Sequence, residues 1–437
     1  MPFPPKKPNP KVQEFWPEEL ATFGDTFSKI NFLNIRLEGG QDAILEIMKE
    51  MPTLGYNVCE TFLEQKSTQE WIKKSKFDLI IMDFLFNDCA FGLALKFKAK
   101  TIIFGTSHPV QWWYDTFGIF PESSWVPDLH LPYQLPMTFY QKLVTTYIHL
   151  GIMYRLNYVY YPMLGSLFQR TLDLPEAPDV AALERETSLV FSCSHFSEEY
   201  ARSLPPLIVS IGGLHSTDES QKLPKDLEKF INESGPNGFM YVSFGSAAKI
   251  SEAPKEFRSM FYNALGKSNL RFVWKYETDR TADIPPNVYV GKWMPQQAIL
   301  AHPKIKGFIT HGGLMGIHEA ITHAVPLVVF PIFAEQDFNA QRVHRTQRGI
   351  MIDPNTLTQD ILENAISEVS TNPKYKQNME KLSKLFKDRP SSPLETAVWW
   401  TEYVLRNDDL SSLKPLGIHQ TWYQRRLLDV WGFVFAI

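Results

Sequence analysis

A histidine, two glycines and several acidic or amide side chains lie within one short stretch of this 437-residue sequence. His311-Gly312-Gly313 follows an apolar run at 306–310, which predicts a buried strand, and residues 314–323 have helical spacing. The first N–H groups of a helix lack intrahelical partners, and the helix dipole favours an anion there. Glycine lets the backbone approach that anion closely. The turn therefore predicts a phosphate site, although glycine pairs at strand–helix turns are also common without a ligand.

Parallel strands with helices between them must hold this turn in place. A further apolar strand is predicted at 325–330, so strand, turn, helix and strand form a right-handed crossover unit. Helices are predicted across most of 11–76 and at 87–97 and 253–267, and the other buried strands at 77–82, 101–104, 188–192, 206–211, 238–244, 272–274 and 288–290. This alternation predicts two parallel-sheet α/β domains, joined by a polar linker at 212–223. No GxGxxG follows the first strand of either half, which argues against a nicotinamide dehydrogenase.

Composition limits the class of protein. The length exceeds one ordinary domain, and 44% hydrophobic with 21% charged residues are typical of a globular body with a large core. The net charge of −4 gives no reason to expect a nucleic-acid partner. The 14% aromatic content indicates apolar ligands, although burial also accounts for it. Cys59, Cys89 and Cys193 lack metal-site spacing, and we interpret all three as core thiols.

The stretch from Trp293 to Gln336 resembles the signature of the UDP-glycosyltransferase family, whose members glycosylate small lipophilic molecules. The resemblance depends on WxPQ, HGG, a helical Glu and an acidic–Gln pair at fixed intervals. It implies a GT-B fold, in which two Rossmann-like, doubly wound parallel-sheet domains face a cleft. An acceptor-binding domain would span 1–215 and a UDP-sugar-binding domain 216–392, and helices at 393–428 would pack back on the first domain.

The resemblance assigns the nucleoside site residue by residue. Trp293 would stack on uracil, because an aromatic face gives a base affinity without hydrogen bonds. Met294 would offer backbone groups to the uracil edge, and Gln296 would reach the nucleoside. Glu319, one turn into the helix after the glycines, would bind both ribose hydroxyls.

The resemblance also assigns the diphosphate and sugar sites. Glu335 and Gln336 would hold the sugar. The diphosphate would lie on small and basic residues at strand ends, namely Ser246, Lys275, His311, Gly312, Gly313 and Gly316. Two positions depart from the common family pattern, Met315 in place of Asn and Glu335 in place of Asp. Such variants resemble the invertebrate branch, which tends to use UDP-glucose.

Asp83 follows the predicted strand at 77–82, at the edge where parallel sheets bind ligands. From its position alone, an Asp there caps the next helix as readily. The resemblance matches Asp83 to the aspartate that orients the catalytic histidine of the family. That histidine is expected in a strand–helix–strand unit upstream of Met1 and thus absent from this sequence. His108, in the exit turn at 105–108, is a second candidate near the acceptor, and we interpret it as a structural turn histidine.

Residues 109–170 are rich in aromatic side chains and irregular in pattern. A groove lined with such rings would accept a flat, apolar molecule. The same rings would equally suit a helical hairpin that packs them into the core or against a membrane interface. The sequence leaves both alternatives open.

The terminal segments indicate the surroundings of the protein. Residues 1–10 predict a proline-rich loop without the apolar region of a signal peptide. Residues 429–437 resemble the start of the family's C-terminal membrane helix, but they fall far short of the ~20 residues that a span requires. Asn232-Glu-Ser234 is a glycosylation sequon. The resemblance implies a lumenal body on the endoplasmic reticulum membrane, with the signal peptide and the complete membrane helix outside this sequence.

The implied reaction is an inverting displacement, in which a histidine deprotonates an acceptor hydroxyl that attacks the anomeric carbon as UDP leaves. No paired acidic motif is placed to hold a metal, so the helix dipole and His311 would stabilise the diphosphate and no cofactor is expected. Expected partners are a UDP-sugar (most readily UDP-glucose), a small lipophilic acceptor, the membrane and a homo- or hetero-oligomer. The alternative is a catalytically inactive UDP-sugar-binding fragment or isoform that lacks the histidine.

Overall fold

The computed structural model describes residues 11–21, 29–85, 87–120, 122–216, 222–246 and 248–437. The loop predicted at 1–10 and part of the linker predicted at 212–223 lie outside the described residues. The strands are β1 (Leu79–Asp83), β2 (Lys100–Gly105), β3 (Leu189–Ser192), β4 (Ile208–Ser210), β5 (Phe239–Ser243), β6 (Arg271–Lys275), β7 (Val288–Gly291), β8 (Ile305–Thr310), β9 (Leu327–Val329) and β10 (Gly349–Met351).

Helices lie between most of these strands, although β4 follows β3 and β7 follows β6 without a helix. They are α1 (Phe32–Glu64), α2 (Lys66–Lys74), α3 (Cys89–Phe97), α4 (Gln111–Thr116), α5 (Phe139–Arg155), α6 (Tyr161–Thr171), α7 (Val180–Arg185), α8 (Lys225–Asn232), α9 (Lys255–Lys267), α10 (Gln296–Leu300), α11 (Leu314–Thr322), α12 (Gln336–Arg345), α13 (Gln359–Thr371), α14 (Pro373–Lys387), α15 (Pro393–Arg406), α16 (Trp422–Arg425) and α17 (Leu428–Ala436). A π-helical segment, Leu156–Tyr160, connects α5 to α6.

The strands form two parallel sheets, which confirms the predicted α/β architecture. The first domain has the order β1-β2-β3-β4, and the second has the order β10-β9-β8-β5-β6-β7. The second order is that of the Rossmann fold, and its direction of winding reverses between β5 and β8. Ligands bind at the carboxyl ends of the strands beside such a reversal. The loops after β5 and β8 are therefore the expected ligand-binding loops.

The second sheet buries both of its faces, and β5 shows why. Met240 and Val242 pack in one hydrophobic cluster, whereas Phe239 and Tyr241 pack in another. Successive side chains of a strand point to opposite faces, so one apolar run fills the two cores. Helices cover both faces of the sheet, and they hold its carboxyl edge in a fixed position.

The long helix α1 joins the two domains. Phe32 and Leu33 near its start pack in the core of the second domain, whereas Cys59 and Leu63 near its end pack in the core of the first. Gly40 interrupts the helix with a left-handed φ of 64°. A residue with a Cβ adopts that conformation only at a cost, so glycine suits the interruption.

A disulfide bond corrects one prediction from the sequence. Cys59 of α1 and Cys89 at the start of α3 are bonded, with their Cα atoms 5.4 Å apart. Only Cys193 keeps a free, buried thiol, so the interpretation of all three cysteines as core thiols was wrong for two of them. The two partners lie 30 positions apart on separate helices, and their spacing gives no sign of the pairing.

The C-terminal segment returns to the first domain. Val404 of α15 is buried in its core, and Lys100 Nζ donates to the carbonyl of Val404 at 2.9 Å. Further on, Arg425 and Arg426 both bind the carboxylate of Asp115, at 3.0 and 3.1 Å. Burial alone would raise the pKa of Asp115, but His149 and Arg426 lower it to about 2. The anchored carboxylate fixes this segment at neutral pH.

Two predictions concern membrane contact and the aromatic segment at 109–170. Along the part of the chain that the structure describes, we find no helix with both the length and the apolar character needed to cross a bilayer. Rings of the 109–170 segment divide between two environments: Trp113 and Tyr114 are fully buried, whereas Tyr147 and Tyr158 are largely exposed. Some rings of this segment thus pack into the core, as the helical-hairpin alternative predicts, and others remain exposed.

Candidate functional site

The carboxyl edge of the second sheet brings three of the predicted residues together. Ser243 of β5 is paired with Thr310 of β8, and Val242 is paired with Trp274 of β6. Because the three strands are neighbours and parallel, the residues that follow them lie side by side. They are Ser246, His311 and Lys275.

His311 lies between two glycine turns that have no room for a side chain. A Cβ at Gly245 would lie 2.8 Å from Cε1 of His311, and a Cβ at Gly313 would lie 2.6 Å from its Nε2. Lys275 Nζ donates to the carbonyl of Gly245 at 2.6 Å and so holds the first turn against the ring. The glycines are thus required for packing as well as for close approach of a ligand.

The imidazole of His311 is neutral near pH 7. Burial, reinforced by the positive charge of Lys275, lowers the pKa of His311 to about 4, and a hydrogen bond to the backbone of Ser243 opposes this only in part. Desolvation disfavours the charged form of a histidine. His311 therefore offers an anion a hydrogen bond, and Lys275 supplies the positive charge beside it.

Gly312 forms the sharp part of the turn, with φ of 87° and no space for a Cβ, which would lie 2.7 Å from Cγ1 of Val329. Asn339 of α12 fixes this turn, because its Nδ2 donates to the carbonyl of Gly312 at 3.0 Å. The side chain oxygen of Asn339 accepts in turn from Nε2 of His108, at 3.1 Å. One buried amide thus connects the glycine turn to the first domain.

Helix α11 begins directly after the turn and has no side-chain cap at Gly313. The nearest carboxylate is that of Glu335, whose Oε1 lies 3.5 Å from the N–H of Leu314. This is a long hydrogen bond, so the first N–H groups of α11 keep most of their capacity to donate. Gly316, one turn further, keeps its face of the helix open, since a Cβ there would meet no atom closer than 3.7 Å.

Glu319 lies on the next turn of α11 and is buried. It accepts hydrogen bonds from Gln296 and from Gln297, the latter at 3.2 Å, and Nε2 of His215 lies 3.8 Å away. Amide groups hold both carboxylate oxygens in one orientation. The carboxylate can then accept two hydroxyl groups from a bound molecule, such as the vicinal pair of a ribose.

Trp293 and Met294 precede Gln296 and differ in exposure. The ring of Trp293 is 62% exposed, whereas Met294 is buried. An exposed indole beside a polar site is available for stacking on a flat ring. The buried Met294 leaves only its backbone for contact with a ligand.

Glu335 and Gln336 mark the start of α12, after β9. The side chain oxygen of Gln336 accepts from the N–H groups of Ile332 and Phe333, at 2.9 and 3.2 Å. The loop before α12 is therefore folded around this amide, which keeps its own N–H₂ as a donor. Together with the Glu335 carboxylate it forms a donor–acceptor pair suited to hydroxyl groups.

The predicted residues of the first domain have different surroundings. Asp83 Oδ1 accepts from the N–H of Leu85 at 2.9 Å and from Asn87 at 3.3 Å, so it stabilises the turn after β1 and does not cap α3. The carboxylate is exposed. It remains available at the carboxyl edge of the first sheet.

His108 is completely buried, and protein groups face both of its ring nitrogens. Nδ1 lies 3.5 Å from Oε2 of Glu199, which Arg202 also binds. Burial lowers the pKa of His108, but Glu199 and Glu198 outweigh this effect and raise it. The burial and the protein partners of the ring are those of a structural histidine.

Some residues of the site were not found from the sequence. His215 lies in the predicted linker, and its Nε2 donates to the carbonyl of Met315 at 2.9 Å. Gln297 was not predicted, although it lies beside Gln296 in the sequence. Its Nε2 donates to the carbonyl of His215. The doubled glutamine was the only signal for it. Asn339 gave no signal, because its contacts come from segments distant in the sequence.

The arrangement suits a nucleoside diphosphate. The N–H groups at the start of α11, the neutral His311 and the ammonium of Lys275 lie around the glycine turns. The other two groups are the exposed indole of Trp293 and the carboxylate of Glu319, which amide groups hold in place. These groups complement, in order, phosphates, a flat base and sugar hydroxyls. Among the residues that the structure describes, no group of three or more His, Cys, Asp or Glu side chains is placed to hold a metal ion.

Known proteins resemble this chain in sequence and in fold. The family model of UDP-glucoronosyl and UDP-glucosyl transferases matches residues 18–437. UDP-glucosyltransferase 2 of Dactylopius coccus is 32% identical over 434 residues, which cover 99% of this chain and 83% of the relative. UDP-glucuronosyltransferase 1-2 of Rattus norvegicus is 34% identical over 393 residues, covering 89% and 72%.

A solved structure supports the fold. The glycotransferase of kitacinnamycin superposes with a TM-score of 0.56 at 18% identity, covering 81% of this chain and 82% of that protein. This likeness shows the architecture of two facing parallel-sheet domains, the GT-B fold. The chain therefore belongs to the family of UDP-glucuronosyl and UDP-glucosyl transferases, enzymes that transfer a sugar from a UDP-sugar.

Proposed function

We propose that the chain binds a UDP-sugar along the carboxyl edge of the second sheet and transfers its hexosyl group, with inversion, to a hydroxyl of a small lipophilic acceptor. The observation that carries the proposal is the contiguous series of groups from Trp293 through Glu319 to the turn at His311. Uracil would lie on Trp293 and the ribose hydroxyls on Glu319. The diphosphate would lie between the start of α11 and Lys275.

The charge that develops on the departing UDP would be stabilised by fixed groups. The N–H groups at the start of α11 lie at this turn, and the carbonyl of Gly245 holds the ammonium of Lys275 at the neighbouring turn, so these groups would need little reorganisation as the bond to the sugar breaks. His311 would add a hydrogen bond in its neutral form. The proposal requires no metal ion.

The sugar would lie against Glu335 and Gln336, whose carboxylate and amide match hydroxyl groups on adjacent carbons. We propose glucose as the sugar, because the glucosyltransferase of Dactylopius coccus matches this chain over 99% of its length. Glucuronic acid, which the name of the rat relative indicates, is the competing donor.

The acceptor would enter from the first domain, where Asp83 lies at the carboxyl end of β1. In this proposal, Asp83 orients the histidine that takes the acceptor proton and stabilises its charged form. Among the described residues, the hydrogen bonds of Asp83 go to Leu85 and Asn87. The competing function is therefore UDP-sugar binding without transfer.

We also propose an oxidising compartment, such as the lumen of the endoplasmic reticulum. The bond between Cys59 and Cys89 supports this, because structural disulfides persist in secretory compartments and are rare in the cytosol. Protease protection of the protein in sealed microsomes tests the location.

Calorimetric titration with UDP and UDP-glucose tests the donor site, and UDP release with a panel of small phenols tests transfer. Binding of both nucleotides together with UDP release supports the enzyme. Binding without release supports the non-catalytic alternative. A folded protein, shown by circular dichroism, that binds neither nucleotide overturns the donor site.

A further inference from the structure

Two side chains at the start of α1 reach the segment that carries Glu335 and Gln336. Phe32 stacks on Phe333, with ring centroids 4.4 Å apart and planes inclined by 16°. The N–H of Phe333 donates to the side chain of Gln336 at 3.2 Å. The aromatic pair therefore supports the loop that is folded around Gln336.

Arg36 lies one helical turn after Phe32 and binds Asp337 with both ends of its guanidinium group. The two hydrogen bonds measure 2.9 and 3.0 Å, and the side chains are only 4% and 3% exposed. A bidentate pair of this kind fixes the orientation of both partners as well as their distance. Asp337 directly follows Gln336 in the first turn of α12, so the pair fixes that turn.

The phosphate turn depends on other contacts. Asn339 holds Gly312, and Gly245 with Gly313 encloses His311. Arg36 instead forms its ion pairs with Asp337 and, at 3.8 Å, with Asp353. The bracing from α1 therefore acts directly on the sugar-holding end of the site, and it reaches the phosphate-holding end only through Asn339, further along α12.

We propose that Arg36 is a positioning residue for the donor sugar: through Asp337 it holds Glu335 and Gln336 in place, and thereby sets the affinity for the sugar more strongly than the affinity for UDP. The inference rests on the proposed function, because it takes the sugar to lie against these two residues. Arg36 lies 301 positions before Asp337 in the sequence, and it nevertheless completes the ligand site of the second domain.

Two variants test the proposal. Arg36→Lys keeps the charge but loses the bidentate geometry, and Arg36→Met with Asp337→Leu replaces the buried pair by apolar side chains, which usually preserves folding. We expect the ratio of the UDP-glucose Kd to the UDP Kd to rise about tenfold in both variants, because the Kd for UDP changes much less than the Kd for UDP-glucose. In turnover assays, KM for UDP-glucose should rise more than kcat falls.

Asn34→Ala is the matched control, because Asn34 lies on the same stretch of α1 and its Nδ2 donates to the carbonyl of Glu252 at 3.1 Å, away from the sugar residues. The control should leave the ratio of dissociation constants unchanged. An unchanged ratio in the Arg36 variants, or an equal loss of UDP and UDP-glucose affinity, overturns the inference alone. A wild-type protein that is folded but binds no UDP overturns the proposed function, and the inference with it.

Discussion

The ring of His311 occupies the space that a side chain at Gly245 would need. The two residues belong to different loops, after β8 and β5, and a Cβ at Gly245 would lie 2.8 Å from the imidazole. Contacts this close essentially never occur for real Cβ atoms. The position of the histidine therefore depends on a glycine 66 residues earlier in the sequence.

Gly245→Ala should reduce the affinity for UDP about tenfold, because the new methyl group displaces His311 from the phosphate turn; tenfold corresponds to about 1.4 kcal/mol. Gly235→Ala is the control: that residue also has a left-handed φ, of 61°, but open space around it. Both variants should lose about 1–2 kcal/mol of stability from backbone strain. Calorimetry with UDP separates the loss of affinity from the loss of stability. Equal UDP affinities in the two variants would show that displacement of His311 does not change UDP binding.

His311 should make the protein less stable as the pH falls from about 6.5 to about 4. Its pKa is lowered to about 4 in the folded state, so the unfolded chain binds the proton first in this range. The contribution of the neutral His311 to the free energy of unfolding is fully present above the pKa of the unfolded chain. Below that pKa it declines by at most about 1.4 kcal/mol per pH unit. Urea unfolding at pH 7.5, 6 and 5 measures the slope, and His311→Gln should remove this part of it. Identical slopes for variant and wild type would disprove the neutral buried imidazole.

Glu319→Gln should weaken UDP binding by tenfold or more, because an amide cannot accept two ribose hydroxyls and its N–H₂ would face those of Gln296 and Gln297. The variant and the wild type should bind 2′,3′-dideoxy-UDP equally, since that nucleotide lacks both hydroxyls. Glu363→Gln, at a carboxylate on α13 paired with Lys267, is the control and should not change binding. A parallel loss of affinity for both nucleotides would show that Glu319 does not contact the ribose.

Replacing Cys59 and Cys89 by alanine should lower the free energy of unfolding by about 3–4 kcal/mol, as expected for a bond that closes a loop of some 30 residues. Denaturant unfolding measures the change. Wild-type protein reduced with dithiothreitol provides the control and should unfold at the same denaturant concentration as the double variant. If reduction leaves the midpoint of the wild type unchanged, the two thiols are not bonded in solution.

The sequence predicted the order of elements well, because buried parallel strands are continuous apolar runs. The strand predicted at 272–274 is β6 at Arg271–Lys275, and the strand predicted at 306–310 is β8 at Ile305–Thr310. Glycine turns and polar residues mark the ends of such strands, so the boundaries differ by one or two residues. The helix expected across most of 11–76 gave no sign that it would join two domains, since a local apolar pattern does not show which core each end of a helix packs in.

Strand order predicts which residues of one part of the site lie together. Ser246, Lys275 and His311 come together because each of them follows a parallel strand of one sheet. The pair of Arg36 and Asp337 spans 301 positions, and neither residue stands out in its own segment. Such contacts depend on how the two domains pack, which no local pattern of residues records.

Helix α1 limits how the two domains can move. Its first turns are bound to the second domain through Arg36, and its last turns are bound to the first domain through the disulfide at Cys59. Between them, Gly40 is the one residue of the helix with a non-helical backbone. A rotation that opened the cleft would have to bend the chain at this hinge or break a buried ion pair. Within α1, Gly40 is thus the position at which such a rotation would bend the chain most easily, because glycine has the widest range of backbone torsion angles.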